Sequence, residues 1–425
     1  MRWNDRLMQL SNQLMDSSDE EIDVIISTVA QKAVRQAAAV DSRSWSGSRR
    51  GRQPNIDRNR TRGHQQIVDD YFGENGKPST YTEGQFRRRF RMNRVLFIRI
   101  MDTVAAADTY FVQKPDAFGK LGKHGMTYKL KDNIGLSPLQ KCTASIRMLA
   151  YGVCADSTDD YCRLGESTAI ESMKRFARAV VSEFGPVYLR EPNEEDVEKH
   201  LNLNESRGFP GMFGSIDCTH WEWKNCPVAW QGQYQDRNGK RSMILEAVAT
   251  QDLWIWHAFL GVPGSTLMFW TFNGISFDMF YLLADGIYPS HSTFQKSLSS
   301  PSTEKEKYYC ERHESVRKDV ERCFGVLFGR FHILANPSQL WSRDHMRVVW
   351  LACICLHNMI IKDDNTMEHH PNASEWDNDL ERRRPQQPLS FDGYLHQRSA
   401  MVDSDAHDLL RQSIIEHLWT ERGNM

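Results

Sequence analysis

Apolar residues recur at helical spacing in the first half of the chain. This spacing predicts a helix over 82–104, a second that begins at Ser137 with Pro138 in its first turn, and a third over 166–184 that Gly185 and Pro186 close. Residues 67–205 are therefore predicted to form an all-helical module. Within it, 155–176 suits a helix-turn-helix that binds DNA, and suits equally well helices that only pack on the next domain.

The pattern changes near Gly208 into short apolar runs that are typical of strands. The predicted strands are 212–216, which ends at Asp217 and which 220–224 can continue, the hairpin 242–250 and 253–260, and 280–284, which ends at Asp285. Helical spacing returns over 304–331, 343–361 and 403–422. This order predicts an α/β fold: a ribonuclease-H-like mixed sheet flanked by helices, preceded by the all-helical N-terminal module.

Four regions follow from these patterns. Residues 1–66 hold a predicted helix over 19–39 and a flexible basic linker, because 41–62 offers few apolar side chains to bury. The other regions are the helical module 67–205, the sheet domain 206–365, and 366–425, a polar linker with a short C-terminal helix.

Charge is nearly balanced, with 53 Lys and Arg residues against 55 Asp and Glu residues, so no overall basic field indicates a nucleic-acid partner. Seven arginines are nevertheless concentrated between Arg43 and Arg62. Nine cysteines without a paired framework argue against disulfides. The chain shows no signal-peptide pattern and no apolar run of about 18 residues, so we expect a soluble intracellular protein without a membrane segment.

Three acidic residues have the positions that a metal-dependent nuclease requires. Asp217 and Asp285 follow apolar strand-like runs, and Glu321 lies on a helical pattern. Carboxylates that converge on rigid elements can hold two divalent cations for phosphodiester cleavage, and Mg²⁺ prefers such oxygen ligands. Each acid alone is more often a helix cap or a surface charge, and Glu321 has Arg317 nearby for an ordinary ion pair on a helix surface.

Basic residues add candidates for contact with DNA. Arginine pairs bidentately with phosphate, but a basic helix face is often only solvated. His220 can orient a phosphate, although a structural histidine is the commoner case. The tentative DNA-binding residues are Arg87, Arg88, Arg89, Arg91, His220 and Lys224.

Aromatic residues and cysteines carry weaker signals. Trp221, Trp223 and Trp230 can stack on bases, but tryptophans pack more often in cores or interfaces. Cys353 and Cys355 lie in an apolar run and lack the paired spacing of zinc sites, so we interpret them as core residues.

Several stretches of the chain match one known family in order. They are 81–100, 214–223, 262–265, 281–289, 317–331 and Leu356-His-Asn-Met-Ile, with a weaker match at 416–419. On these stretches, which cover about residues 68 to 365, the chain resembles the Harbinger-type (PIF/Harbinger) DDE transposases, in their plant transposon protein branch.

This resemblance implies a ribonuclease-H-like DDE nuclease domain over 206–365, in which Asp217, Asp285 and Glu321 fall on the catalytic, metal-binding positions. It implies two Mg²⁺ or Mn²⁺ ions, nicking of DNA at element ends, and joining of the freed 3′ hydroxyls to target DNA. A separate Myb-like DNA-binding protein is the implied partner, and a homo-oligomer is a further expectation. The DNA substrate and the basic tail together predict a nuclear location.

The chain departs from the family after Ser265. A polar stretch with an Asp and a longer segment normally precede the Ala-Asp-Gly motif, whereas here the first Asp after Ser265 is Asp278. A shortened segment can loosen the position of Asp285. The alternative hypothesis is therefore a catalytically impaired, transposase-derived protein that binds DNA or protein. A third is an unrelated hydrolase whose acids are structural.

Overall fold

The structure is a computed structural model that describes residues 56, 58–74, 76–113, 135–236, 239–261, 280–369 and 404–423. The chain divides into two units, Met1–Asp57 and Arg58–Met425, and every element given below belongs to the second. The predicted helix over 19–39, most of the basic linker and the shortened stretch after Ser265 lie outside the described residues.

Helices make up the described chain before the sheet. They are α1 (Arg60–Tyr71), α2 (Glu83–Phe90), α3 (Arg94–Ala107), α4 (Pro138–Tyr151), α5 (Asp159–Cys162), α6 (Glu166–Tyr188) and α7 (Glu194–Glu205). Ser137 and Gln140 cap each other's backbone N–H groups at the start of α4, with Pro138 in the first turn. This confirms the predicted start of that helix.

The prediction of one helix over 82–104 is wrong, because the structure has two helices there. α2 ends at Arg91, whose backbone is left-handed (φ 67°) and whose N–H closes the last turn. Asn93 then caps the first turn of α3 with its side chain. The break lets Phe90 and Phe97, one on each side of it, pack edge to face with ring centroids 4.8 Å apart.

The predicted end of the third helix at Gly185 and Pro186 is also wrong, since α6 continues through both residues to Tyr188. Proline removes its own N–H from the helical ladder, and the burial of Tyr188, 1% exposed, offsets that loss. The Tyr188 ring stacks on Trp254 at 6.3 Å, and its carbonyl accepts a hydrogen bond from Asn358.

The stretch considered as a helix-turn-helix contains α5, which has four residues, before the long α6. α6 packs along α4 and α10 (Arg343–His369), and its residues Phe176 and Val180 belong to the main hydrophobic core. The structure therefore favours the alternative interpretation, in which these helices pack on the following domain.

Among the described residues, five strands form one mixed sheet in the order β3-β2-β1-β4-β5. They are β1 (Met212–Glu222), β2 (Ser242–Ala249), β3 (Ile255–Gly261), β4 (Tyr281–Ala284) and β5 (Phe294–Lys296). The central β1 is antiparallel to β2 and parallel to β4. The predicted hairpin of β2 and β3 and the predicted strand before Asp285 are confirmed.

The prediction that the first strand ends at Asp217 is wrong, because β1 continues to Glu222. Its pairing with β2 runs without interruption through Asp217, which lies opposite Ala247. Near the start of β1, Gly214 is required for close approach, since a Cβ there would lie 2.7 Å from the carbonyl oxygen of Ala249.

Helices cover both faces of the sheet. Those that follow it are α8 (Glu304–Arg330), α9 (His332–Ala335), α10, and α11 (Ser404–Gly423). On one face, Trp221 and Ala247 pack in the main core with α8 and α10. On the other, Ile216 and Val248 pack with Val197 of α7. The predicted α/β fold, a mixed sheet flanked by helices after a helical region, is confirmed.

The Leu356-His-Asn-Met-Ile motif lies inside α10 and has a structural task. His357 and Asn358 are both fully buried. His357 Nε2 donates to the carbonyl of Leu253 at 2.8 Å, and Asn358 bonds the backbone N–H and carbonyl of Ile255. The motif thus fixes the start of β3 against α10.

None of the described helices has the length and apolar character of a membrane-spanning segment.

Candidate active site

The three predicted acids are placed by three different elements of the sheet domain. Asp217 lies in the middle of the central strand β1, and Asp285 directly follows the parallel neighbour β4. Glu321 lies on α8, which packs against β1. Asp217 lies opposite Ala247, whose side chain packs in the main core on the α8 face. The arrangement therefore brings the acids to one side of the sheet.

A single guanidinium joins two of these acids. Arg317 Nη2 lies 2.8 Å from Glu321 Oε1 and 3.0 Å from Glu314 Oε2. Its Nη1 lies 3.8 Å from Asp217 Oδ2, and the Arg317 side chain is 11% exposed. The ion pair expected between Arg317 and Glu321 is confirmed; its guanidinium is largely buried, its carboxylate is 44% exposed, and Arg317 also approaches Asp217. Arg317 therefore acts as an internal counter-ion.

The pKa of Asp217 reflects its burial and the charges around it. Burial raises the pKa of Asp217, and the negative charges of Glu321 and Asp285 raise it further. Two groups oppose this rise: the backbone N–H of Cys218, which donates to Asp217 Oδ1 at 2.8 Å, and the Arg317 charge. The net pKa stays above its usual value, so the site would gain from additional positive charge.

The donor chemistry of this site fits divalent metal. Its ligands would be carboxylate oxygens, and one or two of them suffice for Mg²⁺ when waters complete the shell. Asp285 is partly exposed, with Oδ1 accepting the N–H of Gly286 at 2.6 Å. Within the described ranges, no group of three or more His, Cys, Asp or Glu side chains is placed so that it could hold a metal ion.

The tentative DNA-binding residues do not gather at the acids. Arg87, Arg88 and Arg89 lie on α2 and Arg91 caps its end, so all four belong to the helical region. His220 is exposed on β1, where its Nδ1 bonds Ser242 Oγ at 2.9 Å, and Lys224 is exposed just after β1. DNA binding by these six residues stays a prediction.

The structure favours the interpretation as core residues for Trp221, Trp223, Cys353 and Cys355. Trp221 and Trp223 are 1% and 0% exposed, so stacking on bases is wrong for both, whereas Trp230 is 38% exposed. Cys353 and Cys355 are fully buried in α10, which confirms them as core residues.

Two features near the acids were missed in the sequence. His313 is fully buried on α8, two turns before Glu321, and feels the charge of Asp285. Asp319 forms a largely buried ion pair with Arg207 at 2.6 Å, which ties the segment before β1 to α8. The helical spacing from Glu321 could have indicated His313, but the 112-residue separation of Arg207 and Asp319 left no local signal.

The strand order, the acid on the central strand and the acid after its parallel neighbour define a ribonuclease-H-like domain with a carboxylate site. Comparison with known proteins shows what this chain is similar to. Residues 186–268 and 265–368 match the family described as plant transposon protein. Over these residues the chain is similar to that family. Residues 63–105 match a domain of unknown function (DUF8418).

Two curated proteins of Arabidopsis thaliana are similar to the chain. One is named protein antagonist of like heterochromatin protein 1, and is 22% identical over 325 residues, covering 69% of this chain and 77% of the relative. The other, protein ALP1-like, is 23% identical over 363 residues, covering 78% and 81%. No solved structure matches the chain.

Proposed function

We propose that this protein is a divalent-metal-dependent DNA endonuclease and strand transferase of Harbinger type. It would cleave phosphodiester bonds at element ends and join 3′ hydroxyls to target DNA in the nucleus, with a Myb-like DNA-binding protein as partner. One observation supports the proposal: Arg317 lies 3.8 Å from Asp217 Oδ2 and 2.8 Å from Glu321 Oε1, and the charges of Glu321 and Asp285 both act on Asp217.

The residues divide the work according to their positions. Asp217 and Asp285, on the sheet, would provide rigidly placed carboxylate oxygens for two Mg²⁺ or Mn²⁺ ions. Glu321 would complete the set from α8, while Arg317 keeps Glu314. The bound ions would supply the positive charge that stabilises the attacking and leaving oxygens of the phosphodiester.

The test is nicking of supercoiled plasmid DNA by the full chain with Mg²⁺ or Mn²⁺. We expect nicking that chelator abolishes and that Asp217→Asn and Asp285→Asn reduce to background. Glu314→Gln is the matched control, since it removes a carboxylate bound to the same Arg317 but outside the proposed metal set; it should keep most activity. Wild-type nicking no greater than that of the Asp217→Asn variant would refute the proposal.

A second candidate is a catalytically impaired derivative that binds DNA or protein. The internal cation Arg317 favours it, because a site that already neutralises its own acids can persist without metal. The name of the first relative, an antagonist of a heterochromatin protein, points to a role through association. This candidate predicts no nicking, together with DNA or protein binding that is the same in wild type and Asp217→Asn.

A further inference from the structure

A basic cleft lies between the helical region and the far end of α8. Its volume is about 490 Å³, which is within the range of ligand-binding pockets. It is lined from four helices, α2 with its C-cap, α4, α8 and α9, by Gln85, Arg88, Arg89, Arg91, Tyr151, Gly329 and His332. None of these described lining residues is acidic, so three guanidiniums face one space without a carboxylate among them.

Two of the arginines are held in place rather than neutralised. The Arg89 guanidinium lies over the ring of Tyr81 at 3.7 Å and donates to Tyr71 Oη at 3.2 Å. Arg91 donates to the carbonyl of Arg88 at 3.0 Å and lies over Tyr151 at 5.2 Å. Neutral partners fix the direction of a guanidinium but leave its charge available to an anion.

The third arginine is available as it stands. Arg88 is exposed, and its guanidinium forms no ion pair or hydrogen bond with the described part of the chain. Asp364 of α10 pairs with Arg87 at 2.5 Å and with Arg330 at 3.5 Å. The cleft therefore carries net positive charge, and a phosphate would relieve the repulsion among its arginines.

An exposed face of α8, the glycine face, extends from this cleft to the acidic site. Glu321, Gly325 and Gly329 are four residues apart and all exposed, so they share one face of the helix. A Cβ added at either glycine would meet no atom within 4 Å, so packing does not explain these poor helix formers. From Glu321 to Gly329 the helix rises roughly 12 Å, the length of about three or four base pairs of DNA.

We propose that the cleft binds the phosphodiester backbone of DNA, and that the glycine face of α8 lets the same strand run from the cleft to Glu321. This inference rests on the proposed function, because it takes DNA as the substrate. The inference specifies the path of the DNA strand. α2 and α9 hold phosphates on one side of the cleavage site, and the missing side chains at Gly325 and Gly329 let the DNA backbone approach α8 closely.

The test measures binding of a fluorescent DNA duplex of about 30 base pairs by anisotropy, in EDTA, between about 50 and 200 mM salt. For Arg88→Ala we expect several-fold weaker binding and a salt slope smaller by about one. For Gly325→Leu and Gly329→Leu we expect roughly tenfold weaker binding at an unchanged or higher melting temperature, because leucine favours helix and has open space there.

Two control variants are matched to these changes. Arg178→Ala removes an exposed arginine of α6, and Gly423→Leu fills open space at a glycine of α11. Both should bind DNA as wild type does. Glycine variants that bind as tightly as wild type, equal losses in the controls, or no DNA binding by wild type would each overturn the inference. DNA binding in EDTA does not depend on cleavage. A failure of the nuclease proposal would therefore leave the interpretation of this binding experiment unchanged.

Discussion

At the residue scale, Arg317 sets the state of the acidic site in the absence of metal. Its guanidinium contacts Glu321 and Glu314 and lies 3.8 Å from Asp217. Asp217 is 19% exposed, so removal of this cation would leave a half-buried carboxylate beside other negative charges.

We predict that Arg317→Gln destabilises the metal-free protein by about 2 kcal/mol, less than a fully buried pair because the Glu321 side chain is 44% exposed. Mg²⁺ should then raise the melting temperature of the variant more than that of wild type, since metal would replace the lost positive charge. Thermal denaturation with and without Mg²⁺ measures both effects. Equal Mg²⁺-induced shifts in the two proteins would contradict this account.

Sequence patterns singled out Asp217 and Asp285 because each follows an apolar strand-like run, and Glu321 because it lies on a helical pattern. They also indicated the pair Arg317 and Glu321, which is local on one helix. They could not indicate the approach of Arg317 to Asp217, because this contact depends on how α8 packs on β1. The stacking interpretation for Trp221 and Trp223 failed for a related reason, since burial depends on the whole fold.

At the element scale, local pattern predicted which segments are helices and strands, and tertiary packing decided where they end. α6 passes Pro186 because Tyr188 is buried beyond it. The break at Arg91 arises because aromatic rings on both sides of it share one core. β1 continues past Asp217 because β2 pairs with it from Ser215 through Glu222. The ends of the helices and strands therefore depend on tertiary packing, which residue propensity does not include.

The junction of α3 with α10 contains a buried acid. Asp363 is 3% exposed, and its carboxylate accepts a hydrogen bond from the Asn93 side chain. Burial, followed by the charge of Asp364, raises the pKa of Asp363 to about 6. The ordinary value in an unfolded chain is about 3.9, so the folded state binds this proton more tightly. The ionised carboxylate thus costs the fold stability at neutral pH.

We predict that this group lowers the free energy of unfolding as pH rises from about 4 through 6, on the order of 2 kcal/mol in total. Asp363→Asn should be more stable than wild type at about pH 7.5, keep roughly half of that advantage near pH 5 and lose most of it near pH 4. Urea unfolding at several pH values gives the comparison. Asp160→Asn, an exposed acid on α5, is the control and should follow wild type. A constant difference between Asp363→Asn and wild type across this range would refute the prediction.

At the scale of the whole molecule, the family match and the fold agree on the sheet domain. The match consists of two segments that meet at residues 265–268, where the sequence departs from the family pattern. The sheet nevertheless places β4 beside β1, so Asp285 still follows the strand next to Asp217. Strands β1 to β4 were predicted from the sequence, whereas their order was not, and the state of the site depends on Arg317 and on whether metal displaces it.

The central claim is that Asp217, Asp285 and Glu321 form one metal site. Electron paramagnetic resonance of free Mn²⁺ during titration of the full chain tests it directly. We predict that wild type binds about two ions, that Asp217→Asn and Asp285→Asn lose this binding, and that Glu314→Gln keeps it. Mn²⁺ binding that is equal in wild type and Asp217→Asn, or no binding by wild type, would contradict the account.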